Sequence, residues 1–440
     1  MITVAFHTLG CKVNQYDSQA MLELLLQAGY VSVPFQSEAD VYVINTCTVT
    51  GTGDRKSLQL ARRIKREHPA AILVLCGCLA QNQGRKLLDS SGADLVIGIQ
   101  ARGRIADLLD QVRREGKPIC AVTTLAPGLP FESLNITRFE GHTRASVKIQ
   151  EGCNNHCSYC IIPAVRGPIR SRSLEDLRNE VNRLACCGFS EIVLTGIHLA
   201  SYGKESPAPS ATLLDAVRTV HEVEGVSRIR LGSLEPVIAT ESFCKALAHL
   251  PKVCPQFHLA LQSGSDSVLA RMRRRYNTSQ YLAAVDRIRS VFPHAALTTD
   301  ILTGFPGETE AEYQETRAFI ERIGFARIHV FPYSPRPDTP AAALPDQIPS
   351  GTKERRAREL IALGSRVSAK YLESWLGQDA QFLAEEIVEG HWEGYTSEYI
   401  RVTLPAGVSC KSGQILPVRM KKIVLGGMYA EPVSVSASLS

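Results

Sequence analysis

Cys153, Cys157 and Cys160 stand in the run Glu151-Gly-Cys-Asn-Asn-His-Cys-Ser-Tyr-Cys160, directly after the strand-like segment Ala145–Gln150. Any fold for this chain must end a strand where three thiolates can meet at one group. At C-x3-C-x2-C spacing they can hold three corners of a cubane iron–sulfur cluster. A cluster that only carries electrons uses four cysteines, so three leave one iron open. An open iron can bind and reduce a small molecule, and S-adenosylmethionine, with amino and carboxylate groups to chelate it, suits that role. A zinc knuckle would want a fourth Cys or His at fixed spacing. His156 sits inside the loop beside a cysteine, and the remaining alternative is three unrelated thiols.

The bulk composition fits a cytoplasmic enzyme. With 440 residues, 44% of them hydrophobic and 21% charged, the chain should form two or three domains that each bury a core. Its thirteen cysteines, an odd number over a long chain, read as thiols and metal ligands rather than a disulfide framework. The N-terminus lacks the basic and apolar regions of a signal peptide. No apolar run reaches about 18 residues, so no membrane span is expected. The net charge of +5 is too mild to argue for nucleic acid by itself.

Three blocks follow one another. Residues 1–125 alternate short apolar runs with helical patterns: Ile2–Phe6, a helix over 14–28, Asp40–Ile44, a basic helix over 52–68, Ala71–Leu75 and Asp94–Ile97. This alternation predicts a doubly wound parallel sheet. Residues 126–140, interrupted by Pro and Gly, read as a linker. Over 141–350 the strand candidates are Ala145–Gln150, Glu191–Thr195, Arg228–Leu231, Gln256–Leu261, Ala296–Leu302 and Arg327–Phe331, with helices at 175–187, 212–223, 278–291 and 309–322. Six βα units make an open, partial TIM-type barrel whose chemistry sits at the C-terminal strand ends. The cysteine loop ends the first of those strands. A connecting helix over 351–376 leads to 377–440, whose short alternating runs, such as Tyr399–Leu404 and Ile415–Met420, read as a small β-barrel.

A second set of cysteines lies in the first block. Cys11, Cys47 and Cys78 each follow an N-domain strand and stand beside Gly or Asn. Parallel strands bring their carboxyl ends to one edge, so residues far apart in sequence converge there. Buried strand-end cysteines are also common as small hydrophobes, but three of them favour a second three-cysteine cluster. Cys76 competes with Cys78. Strand alternation puts both on one side, and Cys78 lies nearer the edge.

With two sets of three cysteines, the chain resembles the radical S-adenosylmethionine methylthiotransferases over essentially its whole length. The matching stretches are Thr8-Leu-Gly-Cys-Lys-Val-Asn-Gln, Asn45-Thr-Cys, Gly77-Cys-Leu-Ala-Gln, Lys148-Ile-Gln-Glu-Gly-Cys through Cys160-Ile-Ile-Pro, Arg166-Gly167 with Arg170-Ser-Arg172, Ser233-Leu-Glu-Pro, Leu261-Gln-Ser-Gly-Ser and Gly304-Phe-Pro-Gly-Glu. Tyr159, just before the third cysteine, also fits the superfamily. The resemblance implies a TRAM domain at the C-terminus. Gly10-Cys-Lys-Val-Asn and Met272-Arg-Arg-Arg-Tyr276 look most like the branch that acts on N6-threonylcarbamoyladenosine beside the tRNA anticodon. The isopentenyl-adenosine branch tends to show Gly-Cys-Gln-Met-Asn there, and the branch modifying a ribosomal-protein aspartate Gly-Cys-Pro-Lys-Asn.

The resemblance implies two [4Fe-4S] clusters, on Cys153/Cys157/Cys160 and on Cys11/Cys47/Cys78. The first would cleave S-adenosylmethionine to a radical that takes hydrogen from adenine C2, and the second would deliver a methylated sulfur there. Gly196, Ser233 and Glu235 at strand ends and the turn Gly304-Phe305-Pro306-Gly307 are candidates to hold S-adenosylmethionine. Each has an ordinary reading: Gly-Phe-Pro-Gly as a tight turn, and Glu235 as a partner of Arg230.

The expected partners are tRNA and an electron donor such as flavodoxin or ferredoxin, with neither DNA nor membrane. Basic runs at 55–66, at 271–275 and at Arg419, Lys421 and Lys422 are candidate RNA contacts, though such a run is commonly a solvated helix face. Arg166, Arg170, Arg172, Arg274, Arg275, Lys421 and Lys422 would provide the charge, and Tyr395 and Tyr399 would stack bases. The tail, with 5 Lys/Arg against 7 Asp/Glu over 377–440, is not basic overall. A non-catalytic, metal-containing RNA-binding protein is the alternative from another class. Two three-cysteine sets argue against it, because structural zinc sites are closed by four ligands.

Overall fold

The computed structural model describes residues 1–139, 141–206 and 211–433. The first unit is a six-stranded sheet of β1 (Thr3–Thr8), β2 (Val31–Ser32), β3 (Val41–Thr46), β4 (Ile72–Gly77), β5 (Leu95–Ile97) and β6 (Ile119–Ala121), ordered β2-β1-β3-β4-β5-β6. Every pairing is parallel. The central strands are apolar on both faces because helices cover both. Val43, Val74 and Leu95 pack with α1 (Lys12–Gln27) and the helix Ile105–Glu115. Tyr42, Ile44, Leu73 and Leu75 pack towards α2 (Gly51–Glu67). The edge strands β2 and β6 are too short to leave a periodic pattern, so the sequence reading passed over them.

The central unit has six parallel strands: β7 (Arg144–Glu151), β9 (Glu191–Gly196), β10 (Arg228–Leu231), β11 (Gln256–His258), β12 (Ala296–Thr303) and β13 (Arg327–Pro332). They form two hydrogen-bonded groups, β10-β9-β7 and β11-β12-β13, joined by the single bridges Ile229–Val253 and Leu234–Leu259. A short antiparallel strand, β8 (Arg170–Ser171), edges β7. The result is an arc, an open barrel. Ala145, Val147 and Ile149 pack outward with Leu177, Val181 and Leu184 of the helix Leu174–Cys186, so alternation turns Arg144 and Lys148 inward. Capping boxes at Thr212/Asp215, Asn277/Gln280 and Thr309/Glu312 start three of the outer helices.

The helix Ser350–Glu373 leads to β14 (Asp379–Val388), β15 (His391–Thr396), β16 (Arg401–Ala406), β17 (Ile415–Val424) and β18 (Gly427–Pro432), which close into a barrel ordered β14-β15-β16-β18-β17. Its core is Phe382, Val402, Leu404, Val418, Met420 and Met428. It docks on residues at the starts of the central strands: Arg144 pairs with Glu385 at 2.8 Å, Arg228 donates to the Gln381 carbonyl at 2.6 Å, and Arg230 to the Ser397 carbonyl at 3.0 Å. The described residues of 126–140 have no regular structure but are tightly held. Leu134, Ile136 and Phe139 join the central core, and the Ile136 N–H donates to Glu180 and the Thr137 N–H to Glu23. Among the described residues no helix is long and apolar enough to cross a membrane.

Candidate functional site

Gly152 prepares the first cysteine loop. Its φ of +74° suits glycine, and a Cβ there would lie 2.0 Å from the Pro168 carbonyl oxygen. The chain then turns out of β7, with the Cys153 N–H bonded to the Gly167 carbonyl at 3.0 Å and the Ser158 N–H to Met272 at 3.0 Å. Cys157 is buried and Cys153 and Cys160 half-buried, all as free thiols. Burial pushes the Cys153 thiol up to about 11 and the Cys160 thiol up to about 12, and the neighbouring sulfurs add to the rise. Arg274 donates to the Cys157 sulfur at 3.1 Å and pairs with Glu235 at 2.9 Å. Glu235 also meets His198 at 3.0 Å and Asn155 at 3.0 Å. Burial alone would raise the Glu235 carboxyl. The His198 hydrogen bond and the Arg274 charge override it and hold the group at about 2.

Cys11, Cys47 and Cys78 meet at the carboxyl edge of the N-terminal sheet, within electrostatic reach of one another. Gly77 has a φ of +90°, and a Cβ would meet the Asn45 side-chain oxygen at 2.3 Å. That turn ends β4, so Cys78 opens the short helix Cys78–Gln83 rather than continuing the strand. Cys76 points instead into the core with Val43, Val74 and Leu95. The two cysteines are separated by the turn at Gly77, not by distance along one strand face as alternation had it. Among the described residues no three His, Cys, Asp or Glu close up enough to hold a single metal ion. A cubane asks less, because each of its thiolates binds a different iron. Three free thiols at each site are therefore a donor set that suits such a cluster.

The two triads share a wall. Cys78 packs on Ile161 and Val165, one and five residues after Cys160. Arg166, fully buried, donates to the Cys78 sulfur at 3.3 Å and to Glu151 at 2.9 Å, and also to Asn14. Behind it Asp17, Glu151 and Glu132 meet Lys148, Arg102 and Arg166, with Lys148 to Asp17 at 2.5 Å and Arg102 to Glu132 at 2.8 Å. Burial would raise the Glu151 carboxyl, but Arg166, Lys148 and Arg102 hold it well below the usual carboxylate range.

Several predicted contacts find other work here. Arg166 and Arg172 are not offered to RNA: Arg172 is buried against Glu180 and pairs with Asp176 at 2.8 Å. Arg170 is buried and bonds the Pro168 and Arg166 carbonyls. Arg274 belongs to the first cysteine site. Tyr395 and Tyr399 stack on each other at 4.6 Å inside the seam between tail and barrel, with Arg144 4.9 Å and 5.0 Å from their ring centres and Arg230 4.7 Å from Tyr399. Arg275, Lys421 and Lys422 are exposed.

Among the S-adenosylmethionine candidates, Glu235 faces the cysteine loop, and Arg230 pairs with Glu191 rather than with Glu235. Gly196 abuts Gln150, where a Cβ would lie 2.9 Å from that side chain, so packing already requires glycine. Ser233 is exposed. Phe305 is fully buried against Tyr333, with Tyr159 at the margin of the same cluster. Gly304 makes way for Lys353, whose Cγ would lie 2.3 Å from a Cβ there, and the Gly307 N–H bonds Asp346. Pro306 is buried within that turn. The residues missed by sequence reading, Asn155 and His198, carry no local motif, and only the fold brings them to Glu235. A cleft is lined by Val237, Tyr276 and Arg287, and Tyr276 accepts from Arg274 at 3.0 Å.

Residues 3–98 match the family described as uncharacterized protein family UPF0004, and residues 147–320 match the radical SAM superfamily. The chain is 41% identical to the threonylcarbamoyladenosine tRNA methylthiotransferase MtaB of Bacillus subtilis, over 96% of this chain and 94% of that protein. It is 36% identical to the protein of the same name in Thermotoga maritima, over 98% and 97%. In fold it resembles the radical S-adenosylmethionine methyltransferase TsrM of Kitasatospora setae, with a TM-score of 0.58, 14% identity and coverage of 77% of each chain. An open parallel barrel ending in a three-cysteine loop, a parallel-sheet domain against it and a closed C-terminal barrel, in a chain this similar to those enzymes, make it a member of the radical S-adenosylmethionine methylthiotransferase family.

Proposed function

We propose that this methylthiotransferase adds a methylthio group to C2 of N6-threonylcarbamoyladenosine beside the anticodon of tRNA, and that Cys11, Cys47 and Cys78 hold a second [4Fe-4S] cluster. The observation that carries the reading is the contact of Cys78 with Ile161 and Val165, which sets the two triads on opposite sides of one wall. Cys153, Cys157 and Cys160 would hold the cluster that binds S-adenosylmethionine. When bound, the clusters supply the electron that cleaves S-adenosylmethionine to a radical and the sulfur that is transferred.

The chain's own residues shape the site. Arg274 fixes Cys157 relative to Glu235, and Glu235, buried and ionised, is placed to accept from the amino group or ribose of S-adenosylmethionine. Arg166 couples Cys78 to Glu151, the last residue of β7 and two before Cys153. The names of the relatives support tRNA as substrate. A flavodoxin or ferredoxin would supply electrons, and the reaction belongs in the cytoplasm.

The test gives the reconstituted enzyme, a reductant and S-adenosylmethionine three substrates in parallel: tRNA with threonylcarbamoyladenosine, tRNA with isopentenyl-adenosine, and the ribosomal protein. Nucleoside and peptide masses should show methylthiolation of the first alone. Product on the isopentenyl tRNA would replace the substrate, and product on the protein would remove RNA from the reading.

A further inference from the structure

Strand β13 is the last of the open barrel and, among the described residues, pairs with β12 alone, so its other edge bounds the opening. Its outer face is covered. Ile328 and Val330 pack against the central core, and a Cβ on Gly364 of the helix Ser350–Glu373 would come within 2.5 Å of the Ile328 side chain. Alternation therefore turns Arg327, His329 and Phe331 into the barrel, beside Thr298, Asp300 and Leu302 of β12. Next to them His258 meets Asp300 at 3.3 Å and Thr298 at 3.0 Å, and its ring lies 6.1 Å from that of His329. The fold leaves two of these inward side chains unused. Arg327 is exposed and makes no hydrogen bond or ion pair among the described residues. Phe331 has 49% of its surface open, and among the described residues it is the one exposed aromatic side chain. Leu302, its partner across the strands, joins the apolar cluster of Phe305 and Tyr333, as does Tyr159, the residue before Cys160. Phe331 thus stands at the cysteine end of β13. Arg327 lies about 13 Å away along the strand, at the end where the tail docks.

An open ring and a free guanidinium on one strand face suit single-stranded nucleic acid, whose bases stack on rings and whose phosphates meet cations. An enzyme that works on a base within a nucleic acid draws it out of the stack, and an aromatic side chain replaces the stacking that is lost. Asp300 orders the two contacts. Its carboxylate repels a phosphate and accepts from a base N–H, so the phosphate belongs at Arg327 and the base at Phe331, near the cysteines. We propose that the inner face of β13 binds a single-stranded part of the substrate RNA, with Phe331 stacking on a base and Arg327 holding a backbone phosphate, an inference that rests on the reading of RNA as the substrate.

The experiment titrates the cluster-loaded full chain with an anticodon stem-loop RNA carrying threonylcarbamoyladenosine, at several salt concentrations, for wild type, Phe331→Leu, Phe331→Tyr and Arg327→Gln. Phe331→Leu should raise the dissociation constant about tenfold, as the loss of one base–aromatic stack does, and keep the salt dependence of wild type. Phe331→Tyr, which keeps a ring, should bind as wild type does. Arg327→Gln should lower the slope of log Kd against log salt by about 0.7, the share of one phosphate on a single strand. A general loss of fold does not mimic this pattern, because it would not separate the ring from the slope, and unfolding midpoints are read alongside. Unchanged binding in Phe331→Leu, or an unchanged slope in Arg327→Gln, overturns the proposal. So does a Phe331→Leu variant that loses affinity for S-adenosylmethionine and none for RNA, since the ring would then serve the adenine of that molecule. A wild type that does not bind the stem-loop, but methylthiolates the ribosomal protein, overturns the substrate reading itself, before any substitution is made.

Discussion

Arg166 donates through Nε to Cys78 and through a terminal nitrogen to Glu151, two residues before Cys153. One guanidinium thus carries information between two sites that share no stretch of sequence. Lysine could replace the charge but not the fork. Replacing Arg166 by Met should cost about 3–5 kcal/mol in urea unfolding, because Glu151 would stay buried with weaker compensation. The cysteines themselves give a count: anaerobically reconstituted protein should hold about eight irons, and alanine at either whole triad should halve that. Eight irons surviving the Cys11/Cys47/Cys78 substitution would remove the second cluster from the scheme. Glu235 gives a pH signature. Its carboxyl sits at about 2 when folded against 4.5 when free, so its stabilisation is complete above pH 4.5 and fades as the pH falls towards 2. Glu235→Gln should lack that part of the acid loss when unfolding of the cluster-free protein is followed against pH.

Among the elements, the turns that present the cysteines matter more than the strands behind them. Gly152→Ala would force a Cβ to within 2.0 Å of the Pro168 oxygen at a left-handed φ, whereas Gly188, also at positive φ, has open space around it. Gly152→Ala should therefore lose iron from the first site and more than ~1–3 kcal/mol of stability, while Gly188→Ala costs only the backbone strain and keeps its iron. Much of this level was legible beforehand. Short, largely apolar runs between helical patterns gave β7, β9, β10, β12 and β13 to within a residue or two. The strand expected over Gln256–Leu261 ends at His258, and Leu259 and Gln262 continue it only as isolated bridges. Alternation could not show that Gly77 breaks β4, which turns Cys76 into the core and lets Cys78 open a helix. Nor could composition tell a basic residue facing RNA from one sealed in an ion pair, and Arg166, Arg172 and Arg274 fell on the sealed side. Tyr395 and Tyr399 were misread for the same cause: an aromatic in a small barrel looks alike whether it faces solvent or a neighbouring domain.

At the scale of the whole molecule, the three units meet through charge as much as through apolar packing. The tail is held by Arg144, Arg228 and Arg230, so Arg144→Ala should loosen it, and limited proteolysis should cut near the helix Ser350–Glu373 faster than in wild type. Between the first two units, Asp17 and Arg102 come from one side and Lys148, Glu151 and Arg166 from the other, all buried. The pieces at 126–139 are tied to Glu23 on one side and Glu180 on the other. Neither unit can leave without stranding ions in a dry interior, so calorimetry of residues 1–376 should give one transition, not two. The same arrangement limits how such enzymes can diversify. An N-terminal domain cannot be exchanged between relatives as a cassette, since Asp17 and Arg102 would arrive without their counter-charges. Recombination at this boundary would be tolerated only where both halves of the ionic lock travel together.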